Sequence, residues 1–157
     1  MNIVFKEIPL GRRMGLVAKG YLGALSRRLS HLEIGPFFPV IVIIDKTKGT
    51  LTQQEIADTL QLDKTNVLRI IDNLSEKGYL KRTEKQDDRR AYIIKLTVKG
   101  TKILPEIYKA VKELNKTALS GLTAKQINTF YSTIEVISKN ISDLPADTVI
   151  MSFKSNK

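Results

Sequence analysis

The chain has 157 residues, of which 42% are hydrophobic and 27% charged, the proportions of one globular domain with a substantial core. Lysine and arginine total 26 against 16 acidic residues, a formal charge of +10 with a pI near 9.8. This excess favours a polyanionic partner, either nucleic acid or an acidic membrane surface. The chain contains no cysteine, which excludes disulfides, thiolate catalysis and cysteine-based zinc sites.

The hydropathy pattern argues against membrane insertion and secretion. No apolar run approaches the roughly 18 residues that a membrane-spanning helix requires. In the N-terminal segment MNIVFKEIPLGRRMG the arginines follow the apolar residues, which is the reverse of their order in a signal peptide. We therefore expect a cytoplasmic protein with no membrane partner.

After a short N-terminal arm, the first predicted element is a helix over residues 11–32. Its apolar residues recur at close to helical spacing, and glycines weaken it as an isolated helix, so that packing must supply much of its stability. The run PVIVIIDK that follows is apolar nearly all round and fits a strand by composition alone. We predict a short buried helix there because of the elements that come after it.

The stretch GTLTQQEIADTLQLDKTNVLRIIDNLSEKGYL predicts a helix-turn-helix. Thr52 and Glu55 have the spacing of a capping box that opens the first helix, and Asp63 is a good N-cap for the second. Gly78 suits a left-handed C-cap. The second helix carries one apolar stripe at helical spacing, formed by Val67, Ile70, Ile71 and Leu74.

A hairpin and two helices are predicted in the rest of the chain. The β-prone runs YLKRT and AYIIKLT flank a charged turn, EKQDDRR. A helical pattern then runs from Thr97 to about Leu119, with a kink or a restart at Pro105. Thr123 is the predicted N-cap of the final helix.

The second helix of the helix-turn-helix has residue types that suit the major groove of DNA. With the apolar stripe facing inward, the residues on its other faces are Lys64, Thr65, Asn66, Arg69 and Asn73. Arginine can pair bidentately with guanine and asparagine with adenine, while threonine can meet a thymine methyl group or a phosphate. The alternative is an ordinary solvated helix face.

Two segments, LTQQEIADTLQLDKTNVLRIIDNLSEKGYLKR and DDRRAYIIKLTVKG, form a specific pattern together. In the second, Asp88 and Arg90 are followed by Leu96, Thr97 and Gly100. With the order of elements, this resembles the MarR family of bacterial winged-helix regulators, whose wing pattern is D-x-R, about five residues, then L-T-x-x-G. The resemblance extends over most of residues 10–144, although PFFPVIVIIDK matches the family's second helix only loosely.

The resemblance implies a mostly α fold with a small β-hairpin wing, a winged helix-turn-helix flanked by N- and C-terminal dimerisation helices. It also implies that Arg90 of the wing reaches the minor groove while Asp88 braces its guanidinium, with Arg89 beside them. A narrow minor groove attracts arginine through its negative potential. The alternative is a surface salt bridge worth about 0–1 kcal/mol. The candidate phosphate contacts, which could equally be solvated polar groups, are Thr52, Gln53, Lys81, Arg82 and Lys85.

The domain organisation follows from the same reasoning. We predict an N-terminal arm and dimerisation helix over 1–34, a DNA-binding lobe over 35–99, C-terminal dimerisation helices over 100–144 and a tail over 145–157. One monomer has too little core to bury all its amphipathic helices, which suggests an intertwined homodimer; a monomeric helical cap is the alternative. Two recognition helices related by a two-fold axis would read half-sites roughly 34 Å apart.

The sequence thus predicts a transcriptional regulator, most simply a repressor, that binds double-stranded DNA at a pseudo-palindromic operator. Release by a small-molecule effector is implied by the resemblance alone, and we assign no residue to it. One histidine, no cysteine and no phosphate-binding glycine loop argue against an enzyme, so we expect no catalytic residue, metal or cofactor. The alternative function is a winged-helix module used for protein contacts.

Overall fold

The computed structural model of the protein describes residues 9–85 and 88–145, and the side chains of all of these except residues 88–90. This part of the chain is mostly helical with a two-stranded antiparallel hairpin, as predicted. Its helices and strands are α1 (Leu10–Arg28), α2 (Phe38–Lys46), α3 (Gln53–Leu60), α4 (Lys64–Glu76), β1 (Leu80–Lys85), β2 (Asp88–Leu96), α5 (Val98–Lys102), α6 (Leu104–Ala118) and α7 (Ala124–Ser142).

The chain divides into two units, Met1–Lys112 and Glu113–Lys157. The core of the first unit is built around α2, the helix predicted from PVIVIIDK. Its buried residues are Phe38, Val40, Ile41 and Ile44, and Val42 and Ile43 on its other side are half-buried. Because one broad side of α2 is buried and the other is partly covered, its sequence is apolar nearly all round, which explains why its composition alone also fitted a strand.

The helix α1 is shorter than the predicted one. It ends at Arg28, and Ser30–Leu32 forms a separate 3-10 turn. Glu33 follows with φ of 54°, a left-handed conformation that cannot continue a helix. No helix in the described residues is long and apolar enough to cross a membrane.

The two helices of the helix-turn-helix begin at the predicted caps. The side chain of Thr52 accepts a hydrogen bond from the backbone N–H of Glu55, and the Glu55 carboxylate accepts one from the backbone N–H of Thr52 at 2.7 Å. The helix α3 ends at Leu60, and its C-cap Gln61 has a left-handed φ of 50°. One Asp63 carboxylate oxygen then accepts the backbone N–H of Asn66 at 3.1 Å, which fixes the first turn of α4.

The C-terminus of α4 is closed by a Schellman motif at the predicted glycine. Gly78 has φ of 74°. Its N–H donates to the carbonyl of Ser75 at 2.8 Å, and the N–H of Tyr79 donates to that of Leu74 at 2.9 Å. These bonds satisfy carbonyls at the end of α4 and turn the chain directly into β1.

The hairpin is confirmed, and its strands are longer than predicted. They pair from Leu80 with Leu96 up to Lys85 with Asp88, with an irregularity between Glu84 and Lys85. Most of the charged residues that suggested a long turn therefore lie within the strands. The hydrogen bonds between two strands join backbone groups, so they form whatever charge the outward side chains carry. Asp87 lies outside the described residues.

The hairpin is also joined to the segment before α3. The N–H of Ile94 donates to the carbonyl of Leu51 at 3.0 Å, and Thr52 forms an isolated bridge with Ile93. Ile94 itself is buried. The wing is thus tied at its base to the start of the helix-turn-helix, so that the two elements are held together by backbone hydrogen bonds as well as by the core.

The C-terminal helices follow the predicted breaks. The helix pattern restarts at Pro105, with α5 ending at Lys102 and α6 beginning at Leu104, because proline suits the first turn of a helix and not its interior. The helix α7 opens with a capping box in which Thr123 accepts the N–H of Gln126. None of the 19 residues of α7 is buried.

Gly100 of the wing pattern packs where no side chain fits. A Cβ atom at this position would lie 3.1 Å from Cδ2 of Leu96 and would overlap the carbonyl oxygen of Tyr79. That carbonyl also accepts the N–H of Thr97 at 3.0 Å, so it has little freedom to move. The glycine therefore permits the close approach of α5 to the backbone between α4 and β1.

We expect Gly100→Ala to lower the free energy of unfolding by about 1–3 kcal/mol, because the added methyl group overpacks a fixed backbone contact. Chemical denaturation at a fixed protein concentration measures this. The matched control is Lys102→Ala, an exposed site on the same helix, where the change should stay within about 0.5 kcal/mol. Equal stability of the two variants would contradict the assignment.

Candidate nucleic-acid interface

The helix α4 presents two different faces. Its apolar stripe, Val67, Ile70, Ile71 and Leu74, is buried as predicted. The side chains of Lys64, Thr65, Asn66 and Arg69 are exposed. Because burial of the stripe fixes the rotation of the helix about its axis, these four predicted DNA-contacting residues are held on the outer side of the lobe.

Charge changes along the length of α4. The first half carries Lys64 and Arg69, and the second half carries Asp72 and Glu76. The backbone N–H groups at the start of a helix add partial positive charge to the same end. These groups favour an anion such as a DNA phosphate at the N-terminal half of α4, where the one opposing charge on the helix is the N-cap carboxylate of Asp63.

Asn73 lies in a different environment from the other predicted contacts. Its side chain is half-buried, and its Oδ1 is enclosed without a hydrogen-bond partner among the described residues. Spacing alone had grouped it with Asn66 and Arg69 at helical steps. The structure brings Lys64, Thr65, Asn66 and Arg69 together at the exposed end and leaves Asn73 at the margin of the core.

An ion pair connects α4 to the wing. A guanidinium nitrogen of Arg82, on β1, lies 2.6 Å from a carboxylate oxygen of Asp72, on α4. Arg82 was one of the candidate phosphate contacts, and in the free protein its charge is paired. Sequence reasoning missed Asp72, although an acid on the outer face of a helix proposed to bind DNA is itself a signal that a cation is nearby.

The other candidate phosphate contacts differ in availability. The hydroxyl of Thr52 donates to the Glu55 carboxylate at 2.8 Å, so it is occupied by the capping box. The hydrogen bonds from the Thr52 backbone N–H and then from its hydroxyl lower the pKa of the Glu55 carboxyl group. Gln53 and Lys85 are half-buried, and Lys81 is exposed on β1.

The wing residues Asp88, Arg89 and Arg90 belong to β2. Their side chains lie outside what the structure describes, so the predicted brace between Asp88 and Arg90 stays a prediction. Their backbone begins the second strand of the hairpin, in which Asp88 pairs with Lys85, and the first strand begins four residues after the last residue of α4. The hairpin and α4 therefore lie next to each other in the chain and in the lobe.

Leu68 is an exposed residue of α4 that sequence reasoning overlooked. It is 39% exposed, although the residue before it in the sequence, Val67, is fully buried. The pattern could have revealed it, because the inward stripe at 67, 70, 71 and 74 leaves position 68 outside. It is an apolar side chain on an otherwise polar surface.

A shallow pocket lies between the end of α2 and β2. Its volume is about 260 Å³, and its lining includes Asp45, Lys48 and Lys95. This is below the usual range for small-molecule sites, about 300–1,000 Å³. His31, the single histidine, is paired with Glu106 and exposed. We assign neither feature to an effector site.

A capped helix with an exposed basic N-terminal half, set beside a two-stranded hairpin, defines a winged helix-turn-helix protein. Residues 38–91 match the model of the MarR family. The resemblance seen in the sequence is thereby confirmed, and the chain carries the winged-helix fold of MarR-family transcriptional regulators.

Solved structures agree with this assignment. A mutant of MarR from E. coli, complexed with operator DNA, is 28% identical with a TM-score of 0.73, covering 92% of this chain and all of that one. Wild-type E. coli MarR in its apo form is 29% identical with a TM-score of 0.65, covering 88% and 98%. A MarR-family regulator from Listeria monocytogenes, complexed with a 26mer DNA, is similar in fold, with 24% identity, a TM-score of 0.80 and coverage of 87% and 91%.

We expect Asp63→Ala to lower the free energy of unfolding by about 1 kcal/mol, because the cap on the exposed end of α4 is lost. The control Asp63→Asn keeps a side-chain oxygen that can accept the N–H of Asn66 and removes the charge. Urea denaturation of the three proteins distinguishes the two effects. If the asparagine variant is destabilised as much as the alanine variant, charge and not capping is responsible.

Proposed function

We propose that the protein is a DNA-binding transcriptional repressor that occupies a pseudo-palindromic operator as a homodimer. The observation that carries this proposal is the exposed, basic N-terminal half of α4, which lies beside the hairpin. The operator-DNA complex of the E. coli relative supports it. The net charge of +10 supports a polyanionic partner in the same way.

The recognition helix α4 would enter the major groove by its N-terminal half. Arg69 is proposed to pair with a guanine, Asn66 with an adenine, and Thr65 with a base edge or a phosphate. Lys64, at the first helical position, would contact a phosphate. Asn73 remains a proposed contact, but bidentate pairing with adenine requires both amide atoms, and one of them is enclosed.

The wing would contact the adjacent minor groove. Arg90 is proposed to enter it with Asp88 holding the guanidinium in position, which lowers the ordering cost on binding. Arg89 would lie beside this contact. Lys81 is proposed as a phosphate contact because it is exposed on β1, whereas Arg82 would act through its bond to Asp72.

Dimerisation is supported by the exposed apolar surface of α1 and α7. On α1, Leu10, Leu16 and Val17 are more than half exposed. On α7 the exposed large apolar residues are Phe130, Tyr131, Val136 and Ile141. Apolar groups in such number favour burial in an interface, and we propose that a second copy of the chain covers them.

The second candidate function is a winged helix that binds other proteins. The exposed Leu68 is the observation that favours it, because apolar residues are common at protein contacts. The two functions differ in their dependence on salt. Neutralising DNA phosphates releases counterions, so that DNA affinity falls steeply as salt rises, whereas a protein contact made through Leu68 would change little.

Repression and release by a small molecule rest on the family resemblance. An effector of unknown identity would act by favouring a conformation in which the two recognition helices no longer match the half-site spacing. The repressor proposal is tested by transcription in vitro from a promoter that contains the operator. Activation by the protein, or no effect, would contradict it.

We expect Arg69→Ala to relax base preference at one position in each half-site and to cost about 1–3 kcal/mol per contact. We expect Arg90→Ala to weaken binding while leaving the dimer and its melting temperature unchanged. Titration of a selected operator at two salt concentrations measures both, with the surface variant Lys102→Ala as control. Equal affinity of the wild type and both arginine variants would overturn these contacts.

We expect the protein to sediment at twice the 17.7 kDa of one chain and Val17→Asp to shift it towards the monomer, because a charge in an apolar interface is costly. The control Val98→Asp changes a valine of similar exposure, 74% against 70%, outside the proposed interface. Analytical ultracentrifugation of the wild type and both variants over a range of concentrations measures the fraction of dimer. A wild-type protein that stays monomeric excludes the dimer.

A further inference from the structure

The apolar surface of α4 that the proposed contacts leave unexplained is Leu68. We infer that Leu68 reads a thymine in each half-site by packing against its C5-methyl group. This inference rests on the proposed function and adds to it a residue that determines sequence specificity. It starts from the 39% exposure of a leucine on the recognition helix.

Leu68 lies among the side chains proposed to reach the bases. It lies three residues after Thr65 and four after Lys64, and residues three or four apart on a helix are neighbours on its surface. Both of these neighbours are exposed. A helix inserted deeply enough for Thr65 to reach a base edge therefore brings Leu68, its neighbour on the same exposed side, into the same groove.

The charge next to Leu68 is compatible with that position. Asp72 lies one turn further along α4, and its carboxylate is 2.6 Å from the guanidinium of Arg82. Without that pair, a free anion beside Leu68 would repel the DNA backbone. With it, the surface around Leu68 can approach a duplex, and the acidic half of the helix begins beyond it.

The chemistry of the groove selects thymine as the contact. In the major groove, guanine, cytosine and adenine present hydrogen-bond donors and acceptors, and only thymine adds a methyl group. A leucine placed against the polar edges would remove water from them without replacing its hydrogen bonds, which is unfavourable. Against a methyl group both partners lose apolar surface to water, so that leucine favours thymine over the other bases.

Leu62 provides an internal comparison. It is 37% exposed, nearly the same as Leu68, but it lies in the turn before the N-cap Asp63 and not on α4. Exposure alone is common for a leucine. The location on the exposed side of α4 beside Thr65 is what distinguishes Leu68, and it allows a matched pair of variants.

The test uses the full-length protein and an operator that it selects from a random duplex pool. Each symmetric pair of thymines in this operator is replaced by deoxyuridine, which lacks only the methyl group. For the wild type we expect one pair of positions at which affinity falls about four-fold per methyl group, or about fifteen-fold for both half-sites, on the scale of burying one such group.

The variants attribute this loss to one side chain. Leu68→Ala should bind the thymine and deoxyuridine operators equally at that pair, while Leu62→Ala should keep the wild-type discrimination. Both substitutions are at exposed sites, and thermal melting by circular dichroism verifies that the folds are intact. Retention of the discrimination by Leu68→Ala would assign the methyl contact to another residue and overturn the inference.

The results also separate this inference from the proposed function. If the wild type selects an operator but is insensitive to deoxyuridine at every thymine, the inference is wrong and the DNA-binding function stands. If no sequence is enriched from the pool, the proposed function is wrong and the inference fails with it. A loss at one symmetric pair that disappears only in Leu68→Ala establishes the contact.

Discussion

The burial of a single apolar stripe on α4 is the constraint on which the rest of the lobe depends. With Val67, Ile70, Ile71 and Leu74 packed into the core, the helix has one rotation about its axis, and a shift of one residue would turn it by about 100°. That rotation decides that Thr65, Leu68 and Arg69 face outward. The caps at both ends then set its length, since Asp63 closes the N-terminus and Gly78 directs the chain into β1. The candidate interface is thus a consequence of core packing.

The positions of the charged residues determine which part of this exposed surface attracts DNA. The excess of basic residues is spread along the whole chain, so net charge alone would attract DNA to many surfaces. On α4 the basic side chains and the positive end of the helix coincide, and the carboxylate of Asp72 is paired with Arg82 of the wing. This pair is exposed enough that its contribution to stability is small. Its greater effect is geometric, because it links the helix proposed for the major groove to the hairpin proposed for the minor groove.

The helices α1 and α7 are distinguished by their exposed apolar side chains. In α1 and α7 large apolar side chains are about half exposed, so the monomer gains only part of the free energy that their full burial would release. A homodimer would bury them and would at the same time place two copies of α4 at a fixed separation. Assembly and DNA recognition would then be coupled, because a half-site spacing can be read only if the distance between the two helices is rigid. The exposed apolar surface and the proposed palindromic operator are therefore parts of one hypothesis.

The elements of this protein were predictable where their signals lie within a few residues of each other. Capping boxes, the N-cap of α4, the glycine after it and the inward stripe act over one or two helical turns, so the helices of the lobe and the hairpin could be derived from the amino-acid order. The finer features could not. The enclosure of the Asn73 amide oxygen, the pairing of Arg82 with Asp72, and the contact that requires glycine at position 100 all depend on residues brought close by the fold. The local amino-acid sequence specifies which faces of a helix are apolar and which are polar. The packing of distant segments decides which atoms on those faces remain free to bind.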